Sequence, residues 1–287
     1  MKSRRAKLFK VIALTALGVA VFLFSLYRQF PYERIARMAE DRLSSEGVRA
    51  RIVGLGPGGL LGLFAERVEI TEVDKVPLNV TVSELTASPV IATLFSGEPS
   101  FSLGGMIFGG EVSMMANPYT KDAEVTFREI SLSRAADSIE IEGLPPVSGS
   151  VSGRATLISG DNGLDGELLA DIASVNVGPG KAFILDLPAI DLGMGRIRAK
   201  ASGKRLAIES CDLSGGEIEV SVKGNGNVNR MLSRSAVDLD ITVNSASSAA
   251  ERKLPLIFAM LSQYKMPDGS YGIKLKGPVT SLRPRNR

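Results

Sequence analysis

The stretch Ser148-Gly-Ser-Val-Ser-Gly-Arg-Ala-Thr-Leu-Ile158 decides the fold class of this chain. Its odd-numbered positions are Gly, Val, Gly, Ala and Leu, whereas its even-numbered positions are mostly Ser, Arg and Thr. Successive side chains of a β-strand point to opposite faces of the sheet, so this segment forms a strand with one apolar and one polar face. Such alternation is typical of antiparallel sheets that keep one face in water.

The same period of two recurs along most of the chain. Further strands are predicted at 48–53, 65–72, 78–86, 111–115, 124–130, 165–177, 196–201, 206–212, 217–223, 236–243 and 271–275. Turns rich in glycine separate them, at 104–105, 109–110, 160–163, 178–180 and 215–216. Many short alternating strands joined by such turns indicate antiparallel β structure. The predicted fold is therefore mainly β: a curved, elongated antiparallel sheet with a few short helices.

An uncharged apolar run at residues 11–26 precedes the strands. Five cations stand before it, namely Lys2, Arg4, Arg5, Lys7 and Lys10. Together with its flanks the run approaches the roughly 20 residues that span a bilayer, and the positive-inside rule keeps the cations in the cytoplasm. A cleaved signal peptide is the alternative, but it needs small residues after the apolar core, and residues 22–28 are bulky. We therefore predict that residues 1–30 are a cytoplasmic start followed by an uncleaved transmembrane anchor.

Helices are predicted at three places after the anchor. An amphipathic linker helix within 31–47, between Pro31 and Gly47, lies on the membrane surface or caps the sheet. A short helix follows at 131–138, and a longer one occupies 249–265, with Pro255 near its start. The domain assignment is completed by a β domain at 48–282 and a polar tail at 283–287.

Composition excludes several classes of function. The chain of 287 residues contains no histidine, which rules out Ser-His-Asp and Cys-His catalysis and the His-Glu-x-x-His zinc site. It has one cysteine, Cys211, so no intramolecular disulfide forms, and the alternation around Cys211 predicts a buried strand residue. The net charge of +3 is smaller than the charge of the five cations before the anchor, so the rest of the chain is near neutral and nucleic acid is not an expected partner.

Three motifs are similar to known sites of chemistry. Ser262 and Lys265 match the Ser-x-x-Lys motif of penicillin-binding proteins, but they close a helix instead of opening one. The glycines of residues 54–59 resemble a phosphate loop, yet a strand follows them, so a flexible turn is expected. Asp238 and Asp240 share one face of a strand, where a polar outer face explains them better than a metal. No catalytic, cofactor-binding or metal-binding residue is predicted, and the protein is not expected to be an enzyme.

The apolar face of the predicted sheet is the remaining feature with a functional meaning. A long antiparallel sheet with one aliphatic face and little to cover it can fold over itself and leave an apolar groove. Alternatively, it can offer its edges to the strands of partner proteins. Both arrangements suit a scaffold or a lipid conduit better than a catalyst.

The order of several short motifs adds a resemblance to a known family. These motifs are Phe30-Pro31, the turn Pro57-Gly58 with Leu60, the strand at 67–71, Gly109-Gly110, the paired-glycine strand at 147–157, and the closing segment at 268–278. In this order the chain resembles the type II secretion system protein N family (general secretion pathway protein N). It is similar, more distantly, to the AsmA and TamB class of membrane-anchored, β-rich periplasmic proteins.

The resemblance implies a non-enzymatic accessory or scaffold subunit of a type II secretion system. Its location would be the bacterial inner membrane, with a single span, a cytoplasmic N-terminus and a periplasmic β domain. Its partners would be other secretion subunits. The more distant AsmA-like relatives imply the alternative, a lipid-binding or lipid-transfer module of the cell envelope that holds acyl chains in an apolar groove.

Overall fold

One large antiparallel sheet contains most of the residues that the structure, a computed structural model, describes. These residues are 17–18, 21–22, 25, 27–59, 61–74, 76–94, 97–138, 145–160, 163–182, 185–227, 235–245, 248–278 and 283–285. The strands are β1 (Val48–Val53), β2 (Gly56–Gly58), β3 (Gly62–Val73), β4 (Val76–Pro89), β5 (Phe101–Ile107), β6 (Gly110–Asn117), β7 (Asp122–Ser131), β8 (Val147–Gly160), β9 (Gly163–Val177), β10 (Gly180–Ala182), β11 (Leu185–Leu187), β12 (Ile190–Ser202), β13 (Arg205–Gly215), β14 (Ile218–Asn227), β15 (Ala236–Ser245), β16 (Tyr271–Pro278) and β17 (Arg283–Arg285). The helices are α1 (Tyr32–Ser45), α2 (Ile91–Leu94), α3 (Leu132–Asp137), α4 (Ser248–Lys253) and α5 (Pro255–Leu261), followed by a 3₁₀ turn (Ser262–Tyr264).

The sheet follows the chain almost strand by strand. Its order is β1-β3-β4-β5-β6-β7-β8-β9-β12-β13-β14-β15-β16-β17, with β2 paired to β3, while β10 and β11 form a separate hairpin. Every pairing in the large sheet is antiparallel. The predicted mainly β, antiparallel fold with a few helices is therefore confirmed.

Bulges bend the sheet at several strands. Glu84 in β4, Glu129 in β7 and Ser174 in β9 have positive φ angles of 50–55°, and each lies at a shift in the pairing register. A bulge adds an unpaired residue to one strand, which bends that strand and increases its twist. The amide of Glu129 keeps a partner because it donates to the Ser152 hydroxyl at 2.8 Å. The bulge at Glu129 therefore leaves this backbone donor satisfied.

Helices cover the sheet at its ends. Tyr32 and Ala36 of α1 are buried, and the Glu40 carboxylate accepts a 2.6 Å hydrogen bond from the Ile52 amide of β1. This helix packs against the first strand of the sheet, which agrees with one of the two positions predicted for it, and a position on the membrane surface stays a prediction. At the other end, Phe258 of α5 packs against Tyr271 of β16, with ring centroids 5.4 Å apart. Ile190, Ile218 and Leu254 complete this buried cluster, the C-terminal cap.

The predicted anchor lies largely outside the described residues. Residues 1–16, 19–20, 23–24 and 26 are not among them. Within the described part, no helix has both the length and the apolar composition needed to span a membrane.

Two glycine segments differ from their predictions. The Gly104-Gly105 pair is predicted to be a turn, but it lies inside β5. A Cβ on Gly105 would stand 3.1 Å from the Val82 side chain of β4. Glycine is the residue that permits this close approach of β4 and β5. The 54–59 segment was predicted to be a flexible turn, but Gly56–Gly58 pairs with β3 as a short strand.

The predicted helix at 249–265 is divided into two helices and a 3₁₀ turn. Pro255 occupies the first turn of α5, where its missing amide costs no hydrogen bond, and Leu254 separates α5 from α4. At the C-terminus, three residues of the predicted polar tail, Arg283–Arg285, pair with β16.

Candidate functional site: the apolar face of the sheet

One face of the sheet carries a continuous line of apolar residues, called here the apolar row. The pairing registers place twelve residues side by side, one from each of twelve strands: Leu63, Ala87, Leu103, Met114, Val125, Ala155, Leu168, Ala199, Ile208, Gly224, Leu239 and Leu275. Directly opposed residues in antiparallel strands share a face. With strands about 4.8 Å apart, the row is roughly 50 Å long measured along the sheet.

The apolar row is only partly shielded from solvent. All of its members except Ala199 are half-buried, and Ala199 is 5% exposed. A strand residue covered by a second packed layer would be buried far more completely. The apolar face is thus an open trough among the described residues.

The opposite face is polar. On each strand, the residues next to a member of the apolar row belong to this opposite face. They include Glu124, Thr156, Glu167, Lys200, Asn225, Asp238 and Lys276. Ion pairs link neighbouring strands on this face, such as Arg154 with Glu124 at 3.1 Å and Arg196 with Asp171 at 2.7 Å. Opposite charges across strands favour the observed register over a slip by one residue. The apolar trough and the charged outer face are therefore two sides of one layer.

A cavity of about 720 Å³ lies on the apolar face near the middle of the sheet. Most of the lining of this central cavity is apolar and is formed by Ala155, Leu157, Gly166, Leu168, Ala199, Ala201 and Leu206. The charged residues Glu167, Lys200, Lys204 and Arg205 also belong to the lining. Small residues on β8, β9 and β12 leave this space empty, because their side chains do not extend beyond Cβ. Its size falls within the roughly 300–1,000 Å³ typical of ligand pockets.

A second cavity, the basal cavity, lies where the apolar row begins. It measures about 600 Å³, and its lining includes Leu63 and Ala87 of the row. Tyr27 adjoins it: its hydroxyl donates to the carbonyl oxygen of Gly62 and accepts from the amide of Gly58 at 3.1 Å. The residue directly after the apolar run at 11–26 is therefore hydrogen-bonded to the first strands of the sheet.

The candidate residues from the sequence fall outside this trough or have structural roles. Asp238 and Asp240 pair with Lys276 and Lys274 at 3.0 and 3.1 Å, so the interpretation as a polar outer face is confirmed. The Ser262 hydroxyl donates to the carbonyl oxygen of Ala259 at 2.6 Å at the end of α5. Over the described residues, no group of three or more acidic or cysteine side chains is placed to hold a metal ion.

Cys211 lies on the apolar face of β13, opposite Ile197 and Val222. Its side chain is half-buried, less than predicted. Burial raises the pKa of the Cys211 thiol, and the neighbouring Asp212 carboxylate raises it further. Both effects disfavour the thiolate, which is the reactive form.

This environment predicts slow thiol chemistry in the folded protein. At pH 7.5, Cys211 should react with a small maleimide more slowly than the same thiol in the urea-unfolded chain, because less thiolate is present. The rate should keep rising with pH beyond the range in which an ordinary cysteine is already fully ionised. Stopped-flow labelling at several pH values measures both; equal rates for folded and unfolded chains would contradict the burial argument.

Sequence reasoning predicted an apolar face but not the central cavity. The signal available was the run of small residues at inward positions, such as Gly166, Ala199 and Ala201, which becomes meaningful once the strands are paired. Lys204 and Arg205, at the rim of the cavity, do not belong to any recognisable sequence motif. No protein-family model, no curated protein and no solved structure matches this chain.

Proposed function

We propose that this protein binds the acyl chains of lipids along the apolar row, as a non-enzymatic module anchored in the bacterial inner membrane. The observation that carries this proposal is the apolar row itself: twelve strands contribute to it, and all of its members but one remain partly exposed. Folded proteins rarely leave large contiguous apolar surfaces in water unless they bind something there. A flexible hydrocarbon chain fits a long, shallow trough with an apolar floor.

The start of the chain indicates where such lipids would come from, namely the bilayer that contains the predicted anchor. The positive-inside rule applied to residues 1–30 favours a cytoplasmic N-terminus and a periplasmic sheet. The Tyr27 hydrogen bonds join the end of that segment to the basal cavity. Phe30, Leu61 and Ile91 near it are 51%, 56% and 53% exposed, which suits contact with a bilayer surface. In this proposal, acyl chains enter at the basal cavity and continue along the apolar row.

Leu168 and Leu169 offer a matched test of the proposal. They are neighbours on β9, but Leu168 lines the central cavity whereas Leu169 is on the outer face and 43% exposed. A diazirine amino acid at position 168, photolysed in intact cells, should yield a protein–lipid adduct detectable by mass spectrometry. The same amino acid at position 169 should yield little or none. Equal adducts at both positions, or none at 168, would overturn the proposal.

A scaffold role in type II secretion is the second candidate. It is favoured by the order of motifs described above and by β1, one side of which has no strand partner in the described part of the chain. A strand edge of this kind can accept a strand from another protein. The Ile52–Glu40 hydrogen bond blocks part of that edge, so a partner strand would pair near Val48–Ala50.

Deletion of the gene separates the two candidates. Folded exoproteins retained in the periplasm, with unchanged resistance to detergent, would support the secretion scaffold. Normal secretion combined with new sensitivity to detergent or bile salts would support lipid handling.

A further inference from the structure

The central cavity has two unpaired cations at its rim. Lys204, in the turn between β12 and β13, and Arg205, the first residue of β13, line the cavity, and both are exposed. Neither has an ion pair or a side-chain hydrogen bond in the part of the chain that the structure describes. Of the other charged residues of the lining, Lys200 pairs with Glu209 at 2.8 Å, and the Glu167 carboxylate also interacts with Lys200. The side chains of Lys204 and Arg205 therefore remain available to bind an anionic group.

The turn that carries these cations is held in place against β9. The Asp165 carboxylate accepts a hydrogen bond from the Gly203 amide at 3.0 Å. Gly163 has a φ of +131°, and a Cβ there would stand 2.7 Å from the backbone of Gly203, so the ends of the two hairpins touch. The position of the cations relative to the apolar floor is consequently defined by backbone contacts.

We propose that the central cavity selects an anionic phospholipid, with an acyl chain on the floor and the phosphate at Lys204 and Arg205. This inference rests on the proposed function and adds a preference for headgroup charge. Guanidinium and ammonium groups form charge-assisted hydrogen bonds with phosphate oxygens. A zwitterionic lipid offers the same acyl chains, but its own ammonium group competes with the two cations for the phosphate. The bilayer next to the predicted anchor supplies anionic lipids.

Binding of two fluorescent lipids to the full chain in nonionic detergent tests the proposal. The lipids are phosphatidylglycerol and phosphatidylcholine with the same labelled acyl chains. We expect about tenfold or greater preference for phosphatidylglycerol at low salt, decreasing as the salt concentration rises. The Lys204→Gln/Arg205→Gln variant should lose this preference while binding phosphatidylcholine unchanged. The control variant, Arg198→Gln/Lys223→Gln, removes the same charge from exposed positions outside the cavity lining. This variant should keep the preference for phosphatidylglycerol.

The possible outcomes distinguish failure of this inference from failure of the proposed function. Equal affinity of the unaltered protein for both lipids would overturn headgroup selection while leaving acyl-chain binding intact. Loss of preference in both double variants would show a general charge effect and would also overturn it. Failure to bind either lipid would remove the proposed function together with the inference.

Discussion

An Ala201→Trp variant should lose about 10–100-fold in affinity for acyl chains. Ala201 lines the central cavity on β12, opposite Gly166 and Leu206, so an indole ring there occupies the space that a ligand needs. To bind, the hydrocarbon chain would have to displace a large apolar side chain that is already shielded from water. The measurement is a titration of the full chain with a fluorescent fatty-acyl probe.

Leu169→Trp is the matched control for this prediction. It places the same side chain on the outer face of β9, where it does not enter the trough. Its probe affinity should equal that of the unaltered protein, and both variants should keep their thermal unfolding midpoints within a few degrees. Undiminished binding by Ala201→Trp would show that acyl chains do not use the central cavity.

Phe258→Ala should lower the free energy of unfolding by about 3–5 kcal/mol. Phe258 is 8% exposed and packs on Tyr271 within the C-terminal cap, the cluster in which α5 meets β12, β14 and β16. Truncation removes buried apolar area and an aromatic contact and leaves a cavity. A sheet with one open face has few such clusters to replace it, so the effect should be large. Urea unfolding followed by circular dichroism measures it.

Met194→Ala provides the comparison for the cap. Met194 is 67% exposed on β12, and its truncation should change the free energy of unfolding by less than about 0.5 kcal/mol. A similarly small effect of Phe258→Ala would mean that the C-terminal cap does not stabilise the sheet. Since Phe258 does not line the central cavity, acyl-probe binding by the folded fraction should be unchanged.

The local sequence pattern was sufficient to predict the strands, but it did not predict every turn and helix boundary between them. The alternation at 148–158 became part of β8, and the strand predicted at 236–243 became β15 with two further residues. The Gly104-Gly105 pair misled the prediction, because adjacent glycines are a local turn signal, while their actual role is close contact between β4 and β5. Pro255 was recognised as a helix start, but the separate helix before it had no comparable signal.

The sequence by itself determined the class of structure: a two-residue period sets one apolar and one polar face on every strand, and the absence of histidine rules out the Ser-His-Asp and Cys-His catalytic arrangements. Only the tertiary structure decided how those faces combine. Leu63 and Leu275 belong to one row because eleven successive registers align them, and a slip by one residue at any strand would break the row. The central cavity and its cations likewise depend on contacts between distant hairpins, Gly163 with Gly203, which no local pattern encodes.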